Sequence, residues 1–169
     1  MEAIKTAVFP GSFDPFTKAH QDIVDRGLTL FDRVIIAIGV NSTKKGMFTP
    51  EERLSMIRDT FRSYSEERVD VQFFSGLTVD FCKTVRADFI LRGMRNVMDF
   101  ENESAIAQHN RELDATIETV FFTSPGQLSH ISSTIVREIL VNGGDATRFL
   151  PAEVLLHIQR IRKANNTPS

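Results

Sequence analysis

The 169-residue chain has one cysteine, Cys82. A single thiol cannot close an intrachain disulfide, and a cysteine-rich zinc site is excluded with it. Cys82 sits between Phe81 and Lys83 in a stretch of helical character, where a buried and inert thiol is expected. Neither sign of charge is in excess: 20 Lys and Arg stand against 22 Asp and Glu, a formal net charge of -2. Bulk duplex nucleic acid normally demands a basic face, so this balance argues against such a partner. A small anionic ligand asks only for a local positive cleft. No apolar run approaches the ~18 residues of a membrane span, and the opening MEAIKTAVFP lacks the apolar centre of a signal peptide. A cytoplasmic protein without a membrane partner is expected. G-x-G-x-x-G and G-x-x-x-x-G-K-[ST] are both missing. Their absence removes the ordinary dinucleotide-binding loop and the P-loop ATPase.

What is present reads as one globular domain. The 41% hydrophobic and 25% charged content is not that of a disordered chain. Fourteen phenylalanines could suggest a base-stacking platform, but most fall in apolar strand or helix patterns and there is no basic stripe beside them. Core packing explains them better. Short runs rich in Val, Ile and Phe predict strands at 4–9, 34–40, 69–74, 89–91 and 117–122. Between them Ile23, Val24, Gly27, Leu28 and Phe31 share a helical face. Thr49-Pro50-Glu51-Glu52 carries a capping box with proline at the first helical position. Helices are also predicted over 78–85 and 99–111, over 132–142 with a stop at Gly143-Gly144, and over 151–163. The alternation calls for an α/β fold: a single-domain, Rossmann-like, doubly wound five-stranded parallel sheet with C-terminal helices. Residues 1–165 form the domain and 166–169 a fraying tail.

In such a sheet ligands bind beyond the carboxyl ends of the strands, so the loops there are the places to search. The first holds Gly11, Ser12, Phe13, Asp14 and, at the start of a helix, His20. His20 could donate to a phosphate beside free backbone N–H groups, or simply satisfy a cap. Asp14, between Phe13 and Pro15, reads as a loop-ordering residue rather than one that acts on substrate. The second loop places Lys44 and Lys45 after an apolar strand. The fourth offers Arg92 and Arg95 around Gly93, as a fork for phosphates or as structural partners of Asp99, Glu101 or Glu103. Ser132, Ser133 and Thr134 precede the fifth helix, as caps or as an anion site.

The segments PGSFDPFTKAH, KKGMFTPEER, ILRGMRNVMDFENE and ISSTIVRE, in this order, resemble the motifs of bacterial phosphopantetheine adenylyltransferases of the nucleotidyltransferase superfamily. The resemblance covers nearly the whole chain, and the four motifs together are far more specific than T-x-x-H alone. It implies transfer of the adenylyl group of ATP to 4'-phosphopantetheine, with His20, Lys44 and Arg92 as the catalytic set. By the same resemblance Ser12, Lys44, Thr78, Arg92, Asn110 and Glu138 meet the acceptor substrate. Ser12, Phe13, His20, Gly93, Met94, Arg95 and Glu103 meet ATP, as do Leu128, Ser129, His130, Ile131, Ser132, Ser133 and Thr134. It further implies Mg2+ as cofactor and a homohexamer. With few clustered carboxylates, no metal ligand is assigned, and Mg2+ is expected on nucleotide and water oxygens. Two positions depart from the pattern. Ala19 stands where many members have glycine, which requires a backbone an L-residue can adopt. Asn102 stands where many have an aromatic ring, so nucleobase packing is expected to differ.

The acceptor phosphate is already ionised near neutral pH, so positioning and fixed charge, not a protein nucleophile, are the expected chemistry. A nucleotidyltransferase acting on nicotinamide mononucleotide, or a non-catalytic adenine-nucleotide sensor, would draw on the same polar loops.

Overall fold

The apolar runs become strands because two faces of one sheet are covered. The structure, a computed structural model, describes residues 4–40 and 45–165. The elements are β1 (Thr6–Gly11), α1 (Lys18–Gly27), β2 (Arg33–Gly39), α2 (Pro50–Thr60), β3 (Val69–Phe74) and α3 (Thr78–Val85). Then come β4 (Phe89–Met94), α4 (Val97–Leu113), β5 (Glu118–Thr123), α5 (Ser133–Val141) and α6 (Ala152–Asn165). The sheet order is β3-β2-β1-β4-β5 and every pair is parallel. The chain therefore starts at the centre, winds to one edge, returns and winds to the other.

That reversal creates the site. β1 stays in register with β2 as far as Gly11↔Ile38, yet it pairs with β4 only at Ala7↔Phe89 and Val8↔Ile90. Past Val8 the pairing of the two central strands ends, and the gap at their carboxyl ends is the crevice expected at a switch point.

Strand residues alternate between two buried layers. Ala7, Phe9, Val34, Ile36 and Ile38 join the larger core with α1, α2, α5 and α6. Val8, Ile35 and Ala37 join Val79 and Cys82 of α3 on the other face. Burial pushes the Cys82 thiol up to about 12, so it stays protonated and inert at neutral pH.

Local signals largely set the helix ends. Thr49 and Glu52 form the capping box with Pro50 in the first turn, and Gly143 adopts φ 73 just after α5. Several boundaries differ from the sequence reading. Ile4 is exposed and β1 begins at Thr6. α1 ends at Gly27, so Phe31 packs into the core from the following turn. β4 runs on to Met94 because Arg92, Gly93 and Met94 pair with Phe121, Phe122 and Thr123. Arg92 and Gly93 are thus strand residues rather than loop residues. The expected tail at 166–169 lies outside the described residues. Among those described, no helix is long and apolar enough to cross a membrane.

Candidate active site

The loop from β1 to α1 delivers His20 by a reciprocal cap. Thr17 Oγ1 accepts from the His20 backbone N–H at 3.4 Å, and the Thr17 backbone N–H donates to His20 Nδ1 at 3.0 Å. A ring nitrogen that accepts a hydrogen bond carries no proton, so the neutral imidazole holds its proton on Nε2. Burial, then the charge of Arg95, then that of Arg92 lower the His20 pKa from 6.5 to about 4. Phe13 meets the ring edge-on at 5.1 Å and Phe16 lies at 5.4 Å, which fixes its plane. The cap reading and the phosphate reading are therefore compatible. Nδ1 serves the cap, leaving Nε2–H as a donor in the cavity His20 lines.

That cavity, about 350 Å3, opens at the switch point. Its floor is the end of β1, with Ser12 and Phe13 beyond it; α1 contributes Ala19, His20 and Ile23. β4 and its turn bring Arg92, Gly93 and Arg95, and α4 brings Asp99 and Glu103. Ile131, Ser132, Ser133 and Thr134 close the remaining side. Gly93 serves packing as well as access, since a Cβ there would collide with Ile23 of α1. Ala19 lies in the right-handed first turn of α1, where alanine carries no backbone penalty, and its methyl contributes to the cavity wall. Asn102 is exposed on α4 and lines no part of this cavity.

Both arginines are already held. Arg92 grips Glu103 through Nε at 2.5 Å and Nη2 at 2.6 Å, and its Nη1 donates to the Pro10 carbonyl at 3.1 Å. Of the five guanidinium N–H groups, two remain for an incoming anion. Arg95 pairs with Asp99 through Nε at 2.9 Å, and that hydrogen bond keeps the Asp99 carboxyl below the usual carboxylate range. The fork and the ion-pair readings therefore coexist, with ligand binding left to the unused donors.

The hydroxyls before α5 have structural partners too. Ser132 Oγ accepts from the Ile135 N–H as N-cap, and Thr134 Oγ1 accepts from Arg137. Both keep an O–H to donate. Ser133 gives its O–H to the Pro15 carbonyl at 2.8 Å, so it offers a ligand only its backbone and lone pairs.

Thr78 and Asn110 border a small adjoining hollow that shares Pro10, Arg92 and Glu103 with the main cavity. Met94, Leu128, Ser129 and His130 are not among the residues lining either space, nor is Glu138, which is exposed on α5. Lys44 lies outside the described residues. Asp14 takes the loop-ordering role: its carboxylate accepts from the backbone N–H groups of Met47 and Phe48 at 2.8 and 2.9 Å.

Two cations escaped the sequence reading. Arg53 and Arg137 reach the β1–α1 loop and donate to the carbonyls of Ser12 and Asp14. Both lie inside motifs, TPEER and ISSTIVRE, but a charged helical residue reads as solvated, and nothing in the spacing signals a distant carbonyl. Among the described residues, no group of three or more His, Cys, Asp or Glu could hold a metal ion. The cavity can therefore receive a polyphosphate on fixed donors, through Nε2–H of His20, the unused N–H groups of Arg92 and Arg95, and the start of α5.

Residues 8–139 match the cytidylyltransferase-like family. A phosphopantetheine adenylyltransferase of Flavobacterium psychrophilum is 51% identical over 151 residues, covering 89% of this chain and 98% of the relative. That of Christiangramia forsetii is 49% identical, covering 88% and 96%. Among solved structures, a bifunctional NMN adenylyltransferase/ADP ribose pyrophosphatase of Francisella tularensis complexed with AMP superposes with a TM-score of 0.66 at 18% identity. The match spans 88% of this chain and 44% of that one, and it attests the fold alone. Taken with the four motifs and the switch-point cavity, these similarities decide the matter: the chain belongs to the phosphopantetheine adenylyltransferase family.

Proposed function

We propose that this chain transfers the adenylyl group of ATP to 4'-phosphopantetheine in coenzyme A biosynthesis. An oxygen of the acceptor phosphate attacks the α-phosphorus of ATP. The bond from the α-phosphorus to the bridging oxygen breaks as the new phosphoanhydride forms. Pyrophosphate leaves with the bonding pair, and the other product is 3'-dephospho-CoA. One phosphoanhydride replaces another, so the reaction is reversible.

The observation that carries this reading is the convergence of His20, Arg92 and Arg95 on one switch-point cavity that also holds the start of α5. In the reaction Arg92, with Lys44 from the second loop, orients the acceptor phosphate. His20 donates Nε2–H to the nucleotide phosphates as five-coordinate phosphorus develops. Arg95, Ser132 and Thr134 take the β and γ phosphates. Phe13, Gly93, Glu103 and Ile131 of the cavity wall frame the nucleotide, and Thr78 and Asn110 serve the pantetheine arm. For Met94, Leu128, Ser129, His130 and Glu138, which line neither space, contact with substrate rests on the family resemblance alone. Mg2+, brought with the nucleotide, shares the phosphate charge. The nearest carboxylates, Asp99 and Glu103, are engaged by Arg95 and Arg92, so no protein ligand set is assigned to it.

The protein works in the cytoplasm as a homohexamer. Support for assembly lies in α4, which buries no residue in the single chain while exposing Val97, Met98, Phe100, Ile106 and Leu113. Light scattering is expected to give a six-fold mass, and Ile106→Glu to reduce it; a monomer for the unaltered chain would refute the assembly.

The test of the activity is to supply ATP, Mg2+ and 4'-phosphopantetheine and identify both products by mass, omitting each component in turn. Product with nicotinamide mononucleotide in place of phosphopantetheine, and none with phosphopantetheine, would overturn the acceptor assignment. ATP binding without pyrophosphate release for any acceptor would leave a sensor.

A further inference from the structure

The β1–α1 loop is under conformational tension at the residue that lines the cavity. Phe13 adopts φ 48, a left-handed conformation that L-residues other than Asn and Asp take at a cost. Its ring is buried at 2% exposure, against the rings of Phe9, Phe16 and His20. Such a conformation persists only where the surroundings over-determine it. Here the carbonyls around Phe13 are gripped from other elements. Arg53 Nη1 of α2 donates to Ser12 O at 2.7 Å, Arg137 Nη1 of α5 to Asp14 O at 2.7 Å, and Ser133 Oγ to Pro15 O.

Arg53 is unusual in a second way. It is 8% exposed, and among the described residues its other hydrogen bond is a weak one from Nε to Thr49 O at 3.4 Å. Among the described residues neither Arg53 nor Arg137 pairs with a carboxylate, whereas Arg92 and Arg95 both do. A buried guanidinium ordinarily requires a counter-charge. Among the described residues this one is met only by carbonyl dipoles, one of them belonging to a residue that lines the cavity. Among the described residues this charge therefore has no carboxylate paired with it, behind a space that takes in anions on the adenylyl-transfer reading.

The Ser12–Phe13 peptide is trans, so its N–H points opposite its C=O. Holding Ser12 O toward Arg53 turns the Phe13 N–H away from Arg53, and the cation polarises the whole peptide unit in that sense. Resting on the adenylyl-transfer reading, we propose that Arg53 and Arg137 are positioning residues. They clamp the β1–α1 loop by its carbonyls and so hold Ser12 and Phe13 in the shape that receives the nucleotide phosphates. Arg53 has the larger share, because it is the more buried and acts on the peptide between the two cavity residues.

The test compares Arg53→Met, Arg53→Lys and Arg137→Met with the unaltered enzyme by steady-state kinetics in ATP, ATP calorimetry and thermal unfolding. Arg53→Met, assayed well below its unfolding temperature, is expected to lose about tenfold in kcat/KM for ATP. Arg53→Lys regains part of that loss, having the charge and one donor, and Arg137→Met shows a smaller loss. A purely structural arginine would lower the unfolding temperature of Arg53→Met and leave kcat/KM of the folded protein at the original value. That result overturns the proposal, as does Arg53→Lys performing no better than Arg53→Met. If Arg53→Met does not fold, Arg137→Met decides: reduced kcat/KM supports the clamp and an unchanged value overturns it. If the unaltered protein releases no pyrophosphate with phosphopantetheine, the adenylyl-transfer reading has failed separately. The clamp is then judged by ATP affinity alone, weaker in Arg53→Met if it holds and equal if it does not.

Discussion

Helices α1 and α4 both follow a strand that ends at the cavity, and both deliver side chains to it, but they are held there by different forces. α1 buries Ala19, Ile23, Val24 and Gly27 against the sheet. Its fit is close enough that a Cβ on Gly27 would meet Leu91 at 2.9 Å, and one on Gly93 would strike Ile23. α4 is longer, at 17 residues against 10, and buries none of them. Its cavity end is fastened by the Arg92–Glu103 and Arg95–Asp99 pairs. The imidazole of His20 is thus placed by the same core that folds the protein. The arginine side is placed by ion pairs that an anionic ligand can compete with. One wall is preorganised and the other can adapt.

The contrast can be broken most forcefully through stability. Leu91→Ala should destabilise the fold by about 2–5 kcal/mol, because Leu91 is fully buried beneath α1. Val97→Ala, at the start of α4 that is exposed in the single chain, should cost the unassembled chain no more than about 0.5 kcal/mol. Denaturant unfolding measures both, and equal costs would mean that packing holds α4 as firmly as α1. Next in size is His20→Ala, expected to lower kcat by about 10²–10³-fold, roughly 2.7–4 kcal/mol, with ATP affinity little changed. Unaltered turnover would remove His20 from catalysis. A smaller effect is expected of Glu103→Gln, which weakens the grip on Arg92 and should reduce kcat/KM by about tenfold. Steady-state kinetics with phosphopantetheine varied would expose an Arg92 that needs no such partner.

How far the sequence revealed this arrangement follows the same division. The alternation of strands and helices, the Thr49 cap and the placement of His20, Arg92 and Arg95 near strand ends were legible, because each rests on local pattern and on the general rule for parallel sheets. The order β3-β2-β1-β4-β5 within the sheet came only from the structure. The exit of β4 was not: its extension to Met94 depends on pairing with β5, a non-local event. Gly93 read as a place for ligand approach, while its contact with Ile23 could be known only once α1 lay on β4. Arg53 and Arg137 were hidden for a related reason. Their acceptors are backbone carbonyls 41 and 123 residues away, and a carbonyl has no identity in a sequence. The bare face of α4 was equally illegible, since its apolar residues look like those of a helix covered by its own chain.

The smallest expected effect is also the most direct probe of the preorganised wall. The pKa of His20 falls from 6.5 to about 4, so on acidification the unfolded chain takes up the proton before the folded one does. His20 therefore lowers stability as pH drops from about 6.5 toward 4 and contributes no pH dependence above that range. In the free enzyme the kcat/KM profile should show no ionisation near 6.5 from this residue. Its imidazole C2–H resonance, identified among the four histidines by its loss in His20→Ala, should titrate near 4. ATP brings negative charge that opposes Arg95 and Arg92, so nucleotide must raise that midpoint by linkage. A free-enzyme midpoint near 6.5 would mean that the ring is neither shielded by Phe13 and Phe16 nor crowded by the two arginines. The wall built on α1 would then be no more preorganised than the one built on α4.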